Sequence, residues 1–268
     1  MGVALIKNKH IKSIQYDWDI GSTKPKFALL DDGTQVIVKL SNGPEGNLVL
    51  MNEYLCYRMA ILLDIPMPKS GICIMDKNTE IIDINIASSV NYGYAFYSTF
   101  LPKTTKLVPS IINLMKNKED FIKILLFDHI IFNSDRNEGN LLVQFYKNNI
   151  TLKVIDHSHV FINQAIWDAR CLETAIKEND LLNTRVLEDN KLLYNMFYTN
   201  ISITREILEE QSLFFQKILN HDTIEKLIET IPKEWKPSSN DIKALIKYLD
   251  YRIKNLNVIV STILNYIK

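Results

Sequence analysis

Between Asn133 and His159 the chain reads N-S-D-R-N-E-G-N, then LLVQFYKNNITLKVI, then D-H-S-H. This pattern of loop, hairpin and return constrains the fold more than any other stretch. A polar, Gly-containing loop holds Asp135 and Asn140 five residues apart, after the apolar, helix-like run Phe121–Phe132. Leu141–Tyr146 reads as a strand and Lys147–Asn149 as a turn. Ile150–Ile155 reads as a second strand, which delivers Asp156. The hairpin brings Asp156 back beside the loop, so Asp135, Asn140 and Asp156 are expected within reach of one another. That set suits phosphoryl transfer. One carboxylate accepts the proton of an attacking hydroxyl, while an amide oxygen and a second carboxylate, both hard ligands, hold Mg²⁺ against nucleotide phosphates. Alone, D-x-x-x-x-N also fits a solvated Asn/Asp/Gly loop, so the rest of the chain must decide.

The N-terminal third is strand-rich. Ile11–Tyr16 and Lys26–Leu30 read as strands, and Asp32-Gly33 marks a tight hairpin before Thr34–Leu40. Alternation along that strand puts Lys39 on the face opposite Val36 and Val38. Asn47–Leu63 is a helix by the spacing of Leu48, Met51, Leu55, Met59 and Leu62, with Glu53 off that stripe and able to pair with Lys39. Strands are expected at Gly71–Met75 and Glu80–Ile86, and the extended run Tyr94–Leu101 crosses toward the second half. Backbone around Ser98, Phe100 and Leu101 is placed to meet an adenine edge. The loop Ile20–Lys26 holds Gly21, Ser22 and Thr23 but no G-x-G-x-x-G, so a phosphate role for Gly21 and Ser22 rests on position between two strands. Past Pro102 the chain turns helical. Helices are expected at Asp168–Lys177, Lys191–Tyr198, Ile203–Leu219 and Thr223–Thr230, then one long helix Ile242–Ile267 capped by Ser239, Asn240 or Asp241. The segment I-P-K-E-W-K-P is a rigid loop whose Trp235 packs on the core.

Composition narrows the function classes. Lys plus Arg and Asp plus Glu balance at 31 each, so no global charge draws the chain to nucleic acid or an anionic membrane. Direct nucleic-acid binding is not expected. Cys56, Cys73 and Cys171 show no C-x-x-C spacing and read as reduced thiols, which favours a cytoplasmic location. No stretch resembles a signal peptide and no run approaches 18 apolar residues, so no membrane association is expected.

The order V-I-V-K-L, N-E-Y-L-C-Y-R-M-A, D-I-P-M-P, F-D-H-I-I-F-N-S-D-R-N-E-G-N-L-L-V, V-I-D-H-S-H, I-P-K-E-W resembles the HipA-like kinases over nearly the whole chain, closest to their short stand-alone branch. The five-residue step from Asp135 to Asn140 also matches the protein-kinase catalytic loop. The resemblance implies an α+β, two-lobed protein-kinase-like fold, with a small β-rich lobe over about 1–100 and a mainly helical lobe over 101–268. It implies Asp135 as catalytic base, Asn140 and Asp156 on Mg²⁺, Lys39 on the ATP phosphates and Glu53 as its partner. The acceptor it implies is a Ser/Thr hydroxyl of a protein. Longer relatives are toxin kinases restrained by a DNA-binding antitoxin, so an antitoxin or regulatory partner is in view, as is self-phosphorylation at Ser22-Thr23. Asn137 follows D-R where these relatives often carry His; against the protein-kinase loop, no His-Arg precedes Asp135, and Asp156 is followed by His-Ser rather than Phe-Gly.

Two other enzyme classes are weighed beside it. A small-molecule, antibiotic-type phosphotransferase uses a similar D-x-x-x-x-N…D set, with an acidic acceptor pocket for which Glu178, Asp180, Glu188 and Asp189 are available. A metal-dependent phosphohydrolase could draw on His129, His157 and His159 with Asp128, Asp135 and Asp156. A pseudokinase is disfavoured, because lysine, base, Asn and Asp are all present.

Overall fold

The computed structural model describes residues 9–18, 23–43, 45–83, 86 and 91–267. Strands β1 (Lys9–Asp17), β2 (Lys26–Leu30), β3 (Gln35–Lys39), β4 (Ser70–Met75), β5 (Glu80–Ile81) and β6 (Gly93–Thr99) form one sheet in the order β2-β3-β6-β4-β1-β5, with β1 also paired to β2. Between β3 and β4 runs helix α1 (Leu48–Leu62). A second sheet, β7-β8-β9, joins β7 (Thr104–Lys106) to the hairpin β8 (Leu141–Tyr146) and β9 (Asn149–Val154). The remaining chain is helical: α2 (Pro109–Ile112), α3 (Phe121–Ile130), α4 (Ala169–Lys177), α5 (Arg185–Asp189), α6 (Lys191–Tyr198), α7 (Arg205–Ile218), α8 (His221–Glu229), α9 (Ser239–Lys254) and α10 (Leu256–Ile267). The fold is α+β, with a β-rich N-terminal region and a helical C-terminal part.

Alternation divides the larger sheet into two faces. Val36, Val38, Ala28, Leu30, Ile11, Ile14, Cys73 and Ala95 close one small core. Lys39 points the other way, toward α1, and β3 is paired on both sides, so this lysine is not on an edge strand. The second core is larger. Val49, Leu50, Met51, Leu55, Cys56 and Met59 of α1 share it with α3, β8, β9 and the C-terminal helices. Helix α1 therefore packs between strands β4 and β6 on one side and the C-terminal part on the other, although it lies among the N-terminal strands in sequence. Burial on most of its faces replaces the single stripe expected for it, and Leu62 is exposed. Helix α3 is buried on every face except at Lys123, carrying Asp128 and His129 into the core.

Three sequence expectations are corrected. The strand expected at Glu80–Ile86 is only Glu80–Ile81. The long C-terminal helix is two helices broken at Asn255, whose side chain donates to the Tyr251 carbonyl at 2.7 Å and competes with helix continuation. The N-cap of the first of them is Ser238, which accepts from the Asp241 N–H. Trp235 is buried, in a 3₁₀ turn over Lys233–Trp235, with its ring edge-on to Tyr54. Gly21 and Ser22 lie outside the described residues. Among those described, no helix is long and apolar enough to cross a membrane.

Candidate active site

The β8–β9 hairpin performs the return that the sequence calls for. Its register pairs Leu141 with Val154, so the strand ends meet beside the loop, and the Ile155 N–H donates to the Asn140 carbonyl at 3.0 Å. The loop is braced from below by Arg136, which is buried and paired to Asp128 of α3 at 2.8 Å. The same guanidinium donates to the Ile155 carbonyl at 2.9 Å and to His157 Nε2 at 2.9 Å. Asp128 also accepts from Asn133 Nδ2 at 2.9 Å and from the Tyr194 hydroxyl at 3.0 Å. Asn190 completes the bracing by accepting from the Arg136 N–H and donating to the Asn133 carbonyl, each at 2.8 Å. Sequence reading missed this role for Arg136, Asp128 and Asn190. The available signal was an acid in an apolar helix eight residues before an arginine.

Above the loop, Lys39 gathers the second cluster. Its ammonium donates to Glu53 Oε1 at 2.5 Å, Ser158 Oγ at 2.6 Å and Asp156 Oδ1 at 3.0 Å. Glu53 reaches on to the His157 N–H at 3.1 Å and accepts from Ser158 Oγ at 3.0 Å. Asn52, its neighbour on α1, donates to the Ser158 carbonyl at 2.8 Å and is itself held by Trp167 Nε1 at 3.0 Å. Asp156 takes a left-handed backbone conformation, φ +59°, which turns its carboxylate toward Lys39. Burial works against both charges. It would raise the Asp156 carboxyl and lower the Lys39 ammonium, yet their mutual attraction prevails, so Asp156 stays well below the usual carboxylate range and Lys39 above the usual amine. Glu53, by contrast, is pushed up by burial more than Lys39 brings it down.

Asp135 sits at the mouth of the loop. Its carboxylate is half exposed and its backbone N–H is held by Asn133 Oδ1 at 3.0 Å. Asn140 donates Nδ2 to the Asp135 carbonyl at 2.7 Å, so its Oδ1 is not the atom bonded to that carbonyl. Asn137 folds back, accepting from the Gly139 N–H at 2.9 Å. An amide oxygen at Asn140 and a carboxylate held ionised at Asp156 are hard donors on adjoining strand ends, a set that fits a divalent cation such as Mg²⁺ or Mn²⁺.

On the sheet face that carries Lys39, register aligns Phe27 with Ile37 and Tyr16 with Phe27. Tyr16, Trp18, Phe27 and Phe100 form a continuous aromatic wall there, with ring centroids 5.1–6.4 Å apart. The sequence showed these aromatics but not their convergence. Ser98 lies inside β6, paired on both flanks, and the Phe100 N–H is bonded to the Gln35 carbonyl at 2.9 Å. Leu101 follows the paired strand, and its carbonyl accepts from Thr104 Oγ1 at 3.3 Å.

The histidines do not assemble a metal centre. His129 Nδ1 donates to the Leu125 carbonyl at 2.8 Å, and burial lowers it to about 4. His157 faces the Arg136 guanidinium, which requires a bare Nε2, and burial with that positive neighbour keeps it neutral. Asp128 is committed to Arg136. Among the described residues no group of three or more His, Cys, Asp or Glu side chains is arranged to hold a metal ion.

Residues 11–261 match the sequence profile of the HipA-like kinases. Among solved structures, the proinflammatory kinase CtkA of Helicobacter pylori superposes with a TM-score of 0.59 at 11% identity, over 97% of this chain and 98% of that one. The Golgi casein kinase with Mn/ADP bound superposes with a TM-score of 0.54 at 14% identity, over 95% of this chain and 74% of that one. Both likenesses are likenesses of fold. No curated protein sequence gives a significant match.

Proposed function

The chain belongs to the HipA-like kinase family, and on that footing we propose that it transfers the γ-phosphoryl group of ATP, with Mg²⁺, to a serine or threonine hydroxyl of a protein. Asp135 accepts the proton of the acceptor hydroxyl and aligns it for in-line attack. Asn140 and Asp156 would hold the divalent ion, which supplies positive charge against the phosphate oxygens. Lys39 donates to the α- and β-phosphates, and Glu53 keeps its ammonium aimed. The aromatic wall offers a stacking surface for the nucleobase, whose edge meets the Leu101 backbone. In this reading the strands up to about residue 100 form the nucleotide lobe and 101–268 the acceptor lobe.

The observation that carries the reading is the meeting of Lys39, Glu53 and Asp156, the first and last 117 residues apart in sequence, within 3.0 Å of one ammonium. A protein acceptor is favoured over a small cationic one because three of the four candidate acids are already engaged. Asp180 is tied to Arg252 at 2.6 Å, Glu188 to Thr184 at 2.6 Å and Asp189 to Arg185 at 3.1 Å. Of those four acids, Glu178 and Asp180 line the groove of ≈ 770 Å³ beside α4, where Asp168 and Arg170 also stand.

Incubation of the chain with γ-labelled ATP, Mg²⁺ and cell lysate is expected to label protein. Label confined to the small-molecule fraction would transfer the acceptor to the other class. Calorimetry is expected to show ATP binding that depends on Mg²⁺ or Mn²⁺. Equal affinity without metal would remove Asn140 and Asp156 from their assigned role.

A further inference from the structure

His159 ends the D-H-S-H segment with a carboxylate on each side of its ring. Nδ1 lies 3.5 Å from Asp135 Oδ2, and Nε2 lies 3.0 Å from Glu45 Oε2. That Glu45 oxygen is buried and makes no hydrogen bond among the described residues, so its ion-pair contact with His159 is what faces it there. A neutral imidazole carries one N–H and can serve only one of these carboxylates, whereas the imidazolium serves both. Asp156 adds a third negative charge nearby, and the hydrogen bond with Asp135 raises His159 above its ordinary value against the opposing effect of burial.

The Asp135 side chain makes the arrangement consequential. Its backbone is fixed by Asn133, Asn137 and Asn140, but among the described residues its carboxylate meets only His159. Glu45 in turn belongs to the loop joining β3 to α1, the connection between Lys39 and Glu53. That loop is moored to the C-terminal part by Asn47, which donates to the Glu234 carbonyl at 3.1 Å.

We propose that His159 is the positioning residue of the base: clamped as an imidazolium against Glu45, it holds one oxygen of Asp135 and leaves the other for the acceptor hydroxyl. The inference rests on Asp135 being that base. In the transfer step the acceptor O–H bond breaks and its proton passes to the free oxygen of Asp135. The acceptor oxygen bonds to phosphorus, and ADP departs with the electrons of the broken P–O bond. His159 keeps both ring protons throughout. The same clamp ties the orientation of the base to the loop that sets Lys39 and Glu53, so base and phosphate lysine are registered through one ring.

The test uses the full chain with labelled Mg-ATP and lysate protein as acceptor. His159→Ala is expected to slow transfer at saturating ATP by about 10- to 100-fold, the scale of a misplaced reacting group, with ATP affinity unchanged and the melting temperature lowered because Glu45 loses its cation. Glu45→Gln, which keeps the fold of the loop, is expected to slow it by about 3- to 10-fold by loosening the clamp. Combined with Asp135→Asn, His159→Ala should add nothing, because the two act as a unit. An equal further loss in that background would show independent action and overturn the proposal, as would full activity in His159→Ala. Ring-nitrogen NMR supplies a readout without turnover: Asp135→Asn should lower the His159 titration midpoint, and an unmoved midpoint would also overturn the clamp. Failure of the underlying reading looks different, since Asp135→Asn would then transfer phosphate at the wild-type rate.

Discussion

Two buried polar clusters flank the loop Asn133–Asn140, and they are built for opposite ends. Beneath it, Asp128, Arg136, Asn133, Asn190, Tyr194 and His157 meet in fixed hydrogen bonds, with both charged side chains fully enclosed. Above it, Lys39, Glu53, Ser158 and Asp156 are equally close, yet the Asp156 side chain is 30% exposed. A closed, hydrogen-bonded network holds geometry. An ion pair open on one side can exchange partners when phosphates and a cation arrive. The difference teaches that buried charge takes two forms here, one closed on itself and one whose carboxylate keeps access to solvent.

The comparison breaks most sharply at the loop between the clusters. Asp135→Asn is expected to lower phosphoryl transfer by about 10²–10⁴-fold while sparing fold and ATP affinity, since it removes a proton acceptor and keeps size and polarity. Transfer assays with calorimetry on the same variant check this. In the lower cluster the loss should appear as stability. Arg136→Met leaves Asp128 buried without its cation and is expected to cost about 3–5 kcal/mol in urea unfolding, because an uncompensated charge remains in the core. Lys39→Ala should separate the clusters from the other side, by weakening ATP binding more than it weakens the fold; an unchanged ATP affinity would remove Lys39 from the phosphates.

Acidity sharpens the comparison further. His129 and His157 both titrate below their ordinary value in the folded chain. The unfolded chain therefore binds protons first, and stability should fall as pH drops through about 6.5 toward about 4, where His129 itself charges. The slope is at most about 1.4 kcal/mol per pH unit for each group, and urea midpoints of wild type and His129→Gln across that window should show the variant flatter. The smallest effect is expected at Ser158→Ala. It deletes one hydroxyl between Lys39 and Glu53, worth about 0.5–1.5 kcal/mol, and thermal melts should register it with Lys39 and Glu53 still paired.

Short-range pattern fixed a good part of this chain. The alternation of V-I-V-K put Lys39 opposite Val36 and Val38, and the hairpin reading returned Asp156 to the Asp135–Asn140 loop with β8 at its expected bounds. Periodicity found α1, and Glu53 off its apolar stripe does pair with Lys39. These features were legible because strand and helix periods, turn residues and loop spacing act over a few residues. The break at Asn255 was not, since a continuous apolar period hides a single side chain that competes for the backbone.

What only tertiary structure decided are the partnerships across distance. Which core α1 joins, that Asp128 and Arg136 close on each other, that Tyr16, Trp18, Phe27 and Phe100 line one face, and that His159 stands between Glu45 and Asp135 all depend on packing. The sequence held every one of these residues, and by itself it determined the α+β order of elements and the Asp135, Asn140 and Asp156 neighbourhood. The pairings were settled elsewhere, because a charge in the interior takes whichever partner the three-dimensional fold carries to within hydrogen-bonding distance, and local spacing is blind to that choice.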